Sequence, residues 1–145
     1  MPSAVSLATM GAIFCIARRF AGQAASLLAA LAYVTAGFVF QHGFSFRTDP
    51  MAAALLMWAL VILLRARLNP AALAGFALLL ALATMITIKV ILYAPAFIGI
   101  AWLRWSEGGR TMATAARLML AGFATLACFA VLYWWHSQDL TAAAS

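Results

Sequence analysis

Charged side chains are scarce in this sequence: Asp, Glu, Lys and Arg together make up 8% of its 145 residues. A soluble domain usually carries about a quarter. A chain this short also has too much surface to hide 68% apolar residues from water. A soluble enzyme and a disordered tail are thereby excluded. Cysteine is nearly absent too. Cys15 and Cys128 both sit inside apolar runs, with no CxxC and no Cys/His cluster, so neither a disulfide framework nor a metal site is signalled. Two small buried hydrophobes are expected instead. Acids are few as well: three, against nine Lys and Arg, for a formal charge of +6. The basic residues fall singly or in pairs between apolar runs, without the stripe or aromatic interleaving that nucleic acid requires, so no nucleic-acid partner is expected. Also missing are HExxH, GxxxxGK[ST], GxSxG and GxGxxG, and no cofactor is implied.

What is present is long apolar runs, with a mean hydropathy of +1.06. The fold class they predict is all-α: one polytopic membrane region of about six transmembrane helices, with the lipid bilayer as its first partner. The segments run at about 2–17, 22–41, 50–64, 71–88, 90–104 and 112–135. The first has no positive charge before it and Arg18-Arg19 directly after it, the reverse of a signal peptide. At 1.5 Å per residue it covers roughly 24 Å, so its arginines must snorkel for it to cross a ~30 Å core. Asp49-Pro50 and Asn69-Pro70 read as helix starts, a capping side chain followed by proline at the first helical position.

Residues 71–103 exceed one comfortable span, and charge arbitrates. Two crossings with a tight turn near Lys89 place Arg18, Arg19, Arg65, Arg67, Arg104, Arg110 and Arg117 on one side, leaving Arg47 and Lys89 on the other. This is the positive-inside distribution, with both termini outside. Tyr133-Trp134-Trp135 reads as an outer aromatic anchor, and Trp102 and Trp105 as its inner counterparts. The polar, Ala-rich tail over 136–145 is expected to fray.

With this topology His42, Arg47, Asp49, Lys89, His136 and Asp139 gather on the outer side, and chemistry is expected there. Lys89 is the most informative, because a charge at mid-membrane costs about 2.5–3.5 kcal/mol on insertion scales. It either snorkels to the interface at the turn or turns its ammonium to an anion such as a lipid phosphate. Asp49 suits the cap of the third segment. Arg47 could pair with it or reach a phosphate, and His42 could act as a base or hydrogen-bond a ligand. His136 and Asp139, near the chain end, carry less.

The order of these features resembles a known family. The first helix closes on Ala17-Arg18-Arg19-Phe20-Ala21-Gly22, and the second leads into His42-Gly43-Phe44-Ser45-Phe46-Arg47-Thr48-Asp49-Pro50. An Ala74-Gly75-Phe76-Ala77-Leu78 run follows, then Thr87-Ile88-Lys89-Val90 and Ala94-Pro95-Ala96. Across roughly residues 2–105 this is similar to the early membrane helices of GT-C glycosyltransferases, in the branch of protein mannosyltransferases and aminoarabinose transferases (family 39 and relatives). There a helix ending RR-x-x-G, an R-x-D and a T-x-K before L-x-P recur in this order.

The resemblance implies a transferase that moves a sugar from a polyprenyl-phosphate carrier to an acceptor on the non-cytoplasmic face. In it Lys89, Arg47, Asp49 and His42 are the candidates for the donor-phosphate surface or catalytic cavity. The partners implied are a polyprenyl-phosphate-linked sugar and the remainder of such an enzyme; the localisation implied is a bacterial inner (plasma) membrane. Family members carry an upstream outer loop with the acidic catalytic base, and this sequence has no acid before Asp49. The expectation is therefore a fragment inactive by itself, with no catalytic residue assigned. The other reading of the same composition is a small non-enzymatic membrane protein, a transporter subunit or assembly factor. A transporter should show broken helices and paired intramembrane charges, which Lys89 alone approaches.

Overall fold

A computed structural model describes residues 2–36, 48–65 and 68–143, and the side chains of these except at 2, 3, 48, 49, 65 and 139–143. The described residues form six α-helices and no strand: α1 (Pro2–Phe20), α2 (Gln23–Thr35), α3 (Thr48–Arg65), α4 (Pro70–Ile86), α5 (Ala94–Glu107) and α6 (Met112–Ala143). A 3₁₀ helix, Ile88–Tyr93, joins α4 to α5. Helices α2, α1, α3, α4 and α6 pack in that order side by side, and α5 lies more loosely against α3 and α6.

Local chemistry accounts for most of the boundaries. The Asn69 side chain accepts a hydrogen bond from the Ala72 N–H at 2.8 Å, and Pro70 follows at the first helical position, as the sequence predicts. At the start of α3 the helix already includes Thr48, so Asp49 lies within the first turn and not before it. An acid is equally suited to that turn, where the helix dipole is positive.

The connection near Lys89 is longer than the tight turn expected, and α5 starts at residue 94, not 90. Two local causes converge there. Thr87, Ile88, Val90 and Ile91 are β-branched and lower helix propensity. Pro95 has no N–H for the Ile91 carbonyl, and its ring would clash with that group in a continuous α-helix. The chain leaves α4 at Thr87 in extended conformation (φ −154°, ψ 132°), and the Thr87 hydroxyl accepts from the Lys89 N–H at 3.3 Å.

Between α5 and α6 the chain reverses through Gly109 and Arg110, both at positive φ (72° and 56°). Three carbonyls at the end of α5 are satisfied by the amides of residues 108–110. The predicted fraying beyond residue 135 does not occur before Ala143. The Ser137 hydroxyl is tied back to the Trp134 carbonyl at 2.6 Å.

The interior is built from small residues. Ala12, Ala59, Ala77, Ala81 and Ala83 are fully buried, while Leu and aromatic side chains crowd the outside. This inversion of the soluble pattern lets helix backbones approach closely in lipid. Larger residues enter the core where α3, α4 and α6 meet: Leu63, Leu73 and Phe76 cluster with Ala59 and Ala121. Phe76 meets Phe97 of α5 edge to face, with centroids 5.9 Å apart. Thr9 and Ser26 bond the carbonyls of Val5 and Gly22, and the Trp58 indole N–H crosses to the Ala8 carbonyl at 3.0 Å, whereas the buried Trp105 indole N–H has no hydrogen-bond partner among the described residues. Cys15 and Cys128 are free thiols and half-buried, not buried as expected, because each lies at the edge of its helix's packed face.

Two stretches are long and apolar enough to cross a membrane by themselves, Ile88–Glu107 and Met112–Gln138, and only 6% of each is buried. Gln23–Thr35, Pro50–Leu64 and Pro70–Ile86 are apolar but shorter. An apolar helix that is almost wholly exposed is not the core helix of a soluble domain. Its natural surroundings are lipid or further helices.

Candidate functional site

The bundle has two chemically distinct ends. Contacts between α3 and α4 pair Leu63 with Leu73, Ile62 with Gly75, and Leu56 with Ala83 and Val90. The helices are thus antiparallel, and each step toward the start of α3 is a step toward the end of α4. The start of α3 and the turn that follows α4 therefore lie toward the same end of the bundle.

At that end Lys89 is exposed on the 3₁₀ helix. The turn is pinned by Val90, which is buried against Leu56 and Ala83. Around the ammonium stand Ile88, Ile91 and Leu92, each at least 70% exposed. A single cation among three outward apolar side chains is the composition of a surface seated at a lipid–water boundary. Tyr133, Trp134 and Trp135 on α6 are likewise exposed, as an interfacial aromatic anchor requires.

Of the other residues singled out by sequence, His42 and Arg47 lie outside the described residues, as does the side chain of Asp49. His136 is exposed on the long final helix, and the Asp139 side chain lies outside the described residues. No group of three or more His, Cys, Asp or Glu that could hold a metal ion occurs among the described residues.

Below the Lys89 end an apolar cleft of about 470 Å³ opens between α4, α5 and α6, lined by Phe76, Leu80, Phe97, Ile98, Gly122 and Leu126 among others. It exists because α5 is held to α6 by few contacts, while α4 and α6 pack along their length.

The opposite end collects the arginines. Arg19 of α1 donates to Glu107 of α5 at 2.7 Å, and Arg104 stands 3.9 Å from the same carboxylate oxygen. A groove of about 690 Å³ is lined there by Arg19, Leu68, Arg104, Glu107, Gly108, Thr114 and Arg117. Sequence reading passed over Glu107, treating this end as arginines alone. The usable signal was the single acid within an arginine-rich stretch, three residues after Arg104. Its main partner, Arg19, is 88 positions away and invisible to local spacing.

Comparisons with curated proteins and with solved structures find no match. Residues 1–135 match the family described as dolichyl-phosphate-mannose-protein mannosyltransferase, which is nearly the whole chain. The apolar, outward-facing helices agree with a membrane glycosyltransferase of that kind. This chain belongs to the dolichyl-phosphate-mannose-protein mannosyltransferase family, within the GT-C glycosyltransferases.

Proposed function

We propose that the chain is the membrane region of a glycosyltransferase that moves a sugar from a polyprenyl-phosphate donor to an acceptor on the non-cytoplasmic face. The carrying observation is the Lys89 turn: one cation, framed by Ile88, Ile91 and Leu92, at the end of the bundle shared with the start of α3. A donor of this class has a phosphate on a long isoprenoid, so it asks for a cation at the interface and apolar surface below. Lys89 answers the phosphate, and the cleft between α4, α5 and α6 offers the isoprenoid a path. Arg47, Asp49 and His42 belong to the same outer surface in this reading, with Arg47 on the phosphate and Asp49 positioning.

For displacement at the anomeric carbon, a carboxylate must take the acceptor's proton while cations stabilise the departing phosphate. Glu107 is tied into the arginine end and is unsuited to that work. The chain alone is accordingly proposed to be inactive, its base supplied from elsewhere in the enzyme. Six crossings with both termini outside, in a bacterial inner membrane, complete the reading; the clustering of Arg19, Arg104 and Arg117 at one end supports the orientation.

The test is photo-labelling of the full chain in liposomes with a photoactivatable polyprenyl phosphate, followed by peptide mapping. Labelling should fall on residues 87–93 and the facing side of α6, and Lys89→Ala should reduce it about tenfold. Labelling that Lys89→Ala leaves unchanged, or that maps to the arginine end, refutes the assignment.

A further inference from the structure

The groove at the arginine end lies on the far side of the bundle from Lys89, and the transferase reading makes no use of it. Its lining carries three guanidinium groups and one carboxylate, a formal charge of +2. One oxygen of Glu107 serves both Arg19 and Arg104. Arg117 adds a third cation from the first two turns of α6, where the dipole of a 32-residue helix is also positive. Glu107 offsets one of these charges, and the lining keeps a net positive charge that favours a further anion.

The tertiary structure gathers these cations from three places in the chain. Arg19 ends α1, Arg104 lies in the last turn of α5, and Arg117 lies near the start of α6. The reversal at Gly109 and Arg110 folds α6 back beside α5. Gly108 keeps the wall open, since a Cβ there would stand 3.2 Å from both the Thr114 hydroxyl and the Arg104 carbonyl. Leu68 supplies an apolar side. At about 690 Å³ the groove has the size of a small-molecule site. Planar guanidinium groups match phosphate oxygens two at a time, and basic pockets between membrane helices suit acidic headgroups.

We propose that this groove binds a phosphate-bearing anion, either the headgroup of an acidic phospholipid or a free phosphate. The site is independent of sugar transfer. Glu107 has a defined part in it: by engaging Arg19 it ties α1 to α5, and Arg117 stands exposed on the groove as a donor to the ligand.

The experiment is native mass spectrometry of the full chain released from detergent micelles, titrated with dioleoylphosphatidylglycerol, dioleoylphosphatidylcholine or inorganic phosphate. One phosphatidylglycerol should be retained about tenfold more tightly than phosphatidylcholine, and Arg117→Gln should remove about that factor. Arg110→Gln, in the adjoining reversal but outside the lining, should change retention less than twofold. Displacement of the lipid by millimolar inorganic phosphate identifies the free ion as a competent ligand; no displacement identifies the headgroup as the source. Equal retention of both lipids with no bound phosphate overturns the proposal, and so does an equal loss in Arg110→Gln and Arg117→Gln. Arg117 is exposed, so its substitution leaves the fold intact; circular dichroism of each variant checks this.

Discussion

Replacing Phe76 by alanine tests whether the physics of this bundle is that of lipid or of water. Phe76 is 6% exposed and joins three helices, packing with Leu63 and Ala59 of α3, Ala121 of α6 and the Phe97 ring of α5. In a soluble protein Phe→Ala costs about 3–5 kcal/mol, the sum of lost transfer from water and a cavity term. Here the unfolded reference is separated helices in lipid, where a phenyl ring is as well solvated as in the core, so the transfer part vanishes. The cavity part remains: roughly 100 Å³ at ~24 cal/mol per Å³ gives about 2.4 kcal/mol. The edge-to-face pair adds about 0.5–1 kcal/mol.

The expected loss is therefore about 3 kcal/mol at most. It falls toward 1 kcal/mol if a lipid chain enters, because Phe76 already lines the open cleft of about 470 Å³. The assay is reversible unfolding of the full chain in mixed micelles with rising dodecyl sulfate, followed by circular dichroism. Phe76→Leu should recover at least half of the loss. A cost above about 4 kcal/mol would mean that water, not lipid, is the unfolded-state solvent. A leucine variant no better than alanine would show that the core does not depend on filling this site.

Two further outcomes are expected. Asn69→Ala removes the side-chain acceptor for the Ala72 N–H and should lower stability in the same assay by about 1 kcal/mol, with faster amide exchange confined to the first turn of α4. Single cysteines at positions 89 and 110, placed in a variant lacking Cys15 and Cys128, should react with an impermeant maleimide from opposite faces of oriented membrane vesicles. Labelling of both from one face would show that residues 88–107 do not cross and would collapse the six-span topology.

Much of the helix plan was legible along the chain because it depends on interactions within a few residues. Asn69-Pro70 starts a helix by a bond three residues long, and Pro95 with its β-branched approach prevents one helix from running from 70 to 107. The charge asymmetry grouped Arg19, Arg104 and Arg117, which the structure brings to one groove. Errors arose where local cues were weak. The tail after Trp135 reads as polar, yet the helix continues to Ala143. The turn at Lys89 reads as tight, yet Val90 is drawn into the core beside Leu56 and the chain forms a 3₁₀ helix instead.

By itself the sequence determined the membrane setting and the all-helical class, since composition and hydrophobic run length are properties of the linear chain. It also marked Lys89, because a lone lysine in an apolar setting stands out without a structure. The tertiary structure decided which distant residues meet. Val90 meets Leu56 through the antiparallel packing of α3 and α4, and Arg19 meets Glu107 because α1 and α5 end at the same side of the bundle. Neither pairing is encoded in spacing. Each follows from which small-residue faces fit together, and that is settled only when the helices pack.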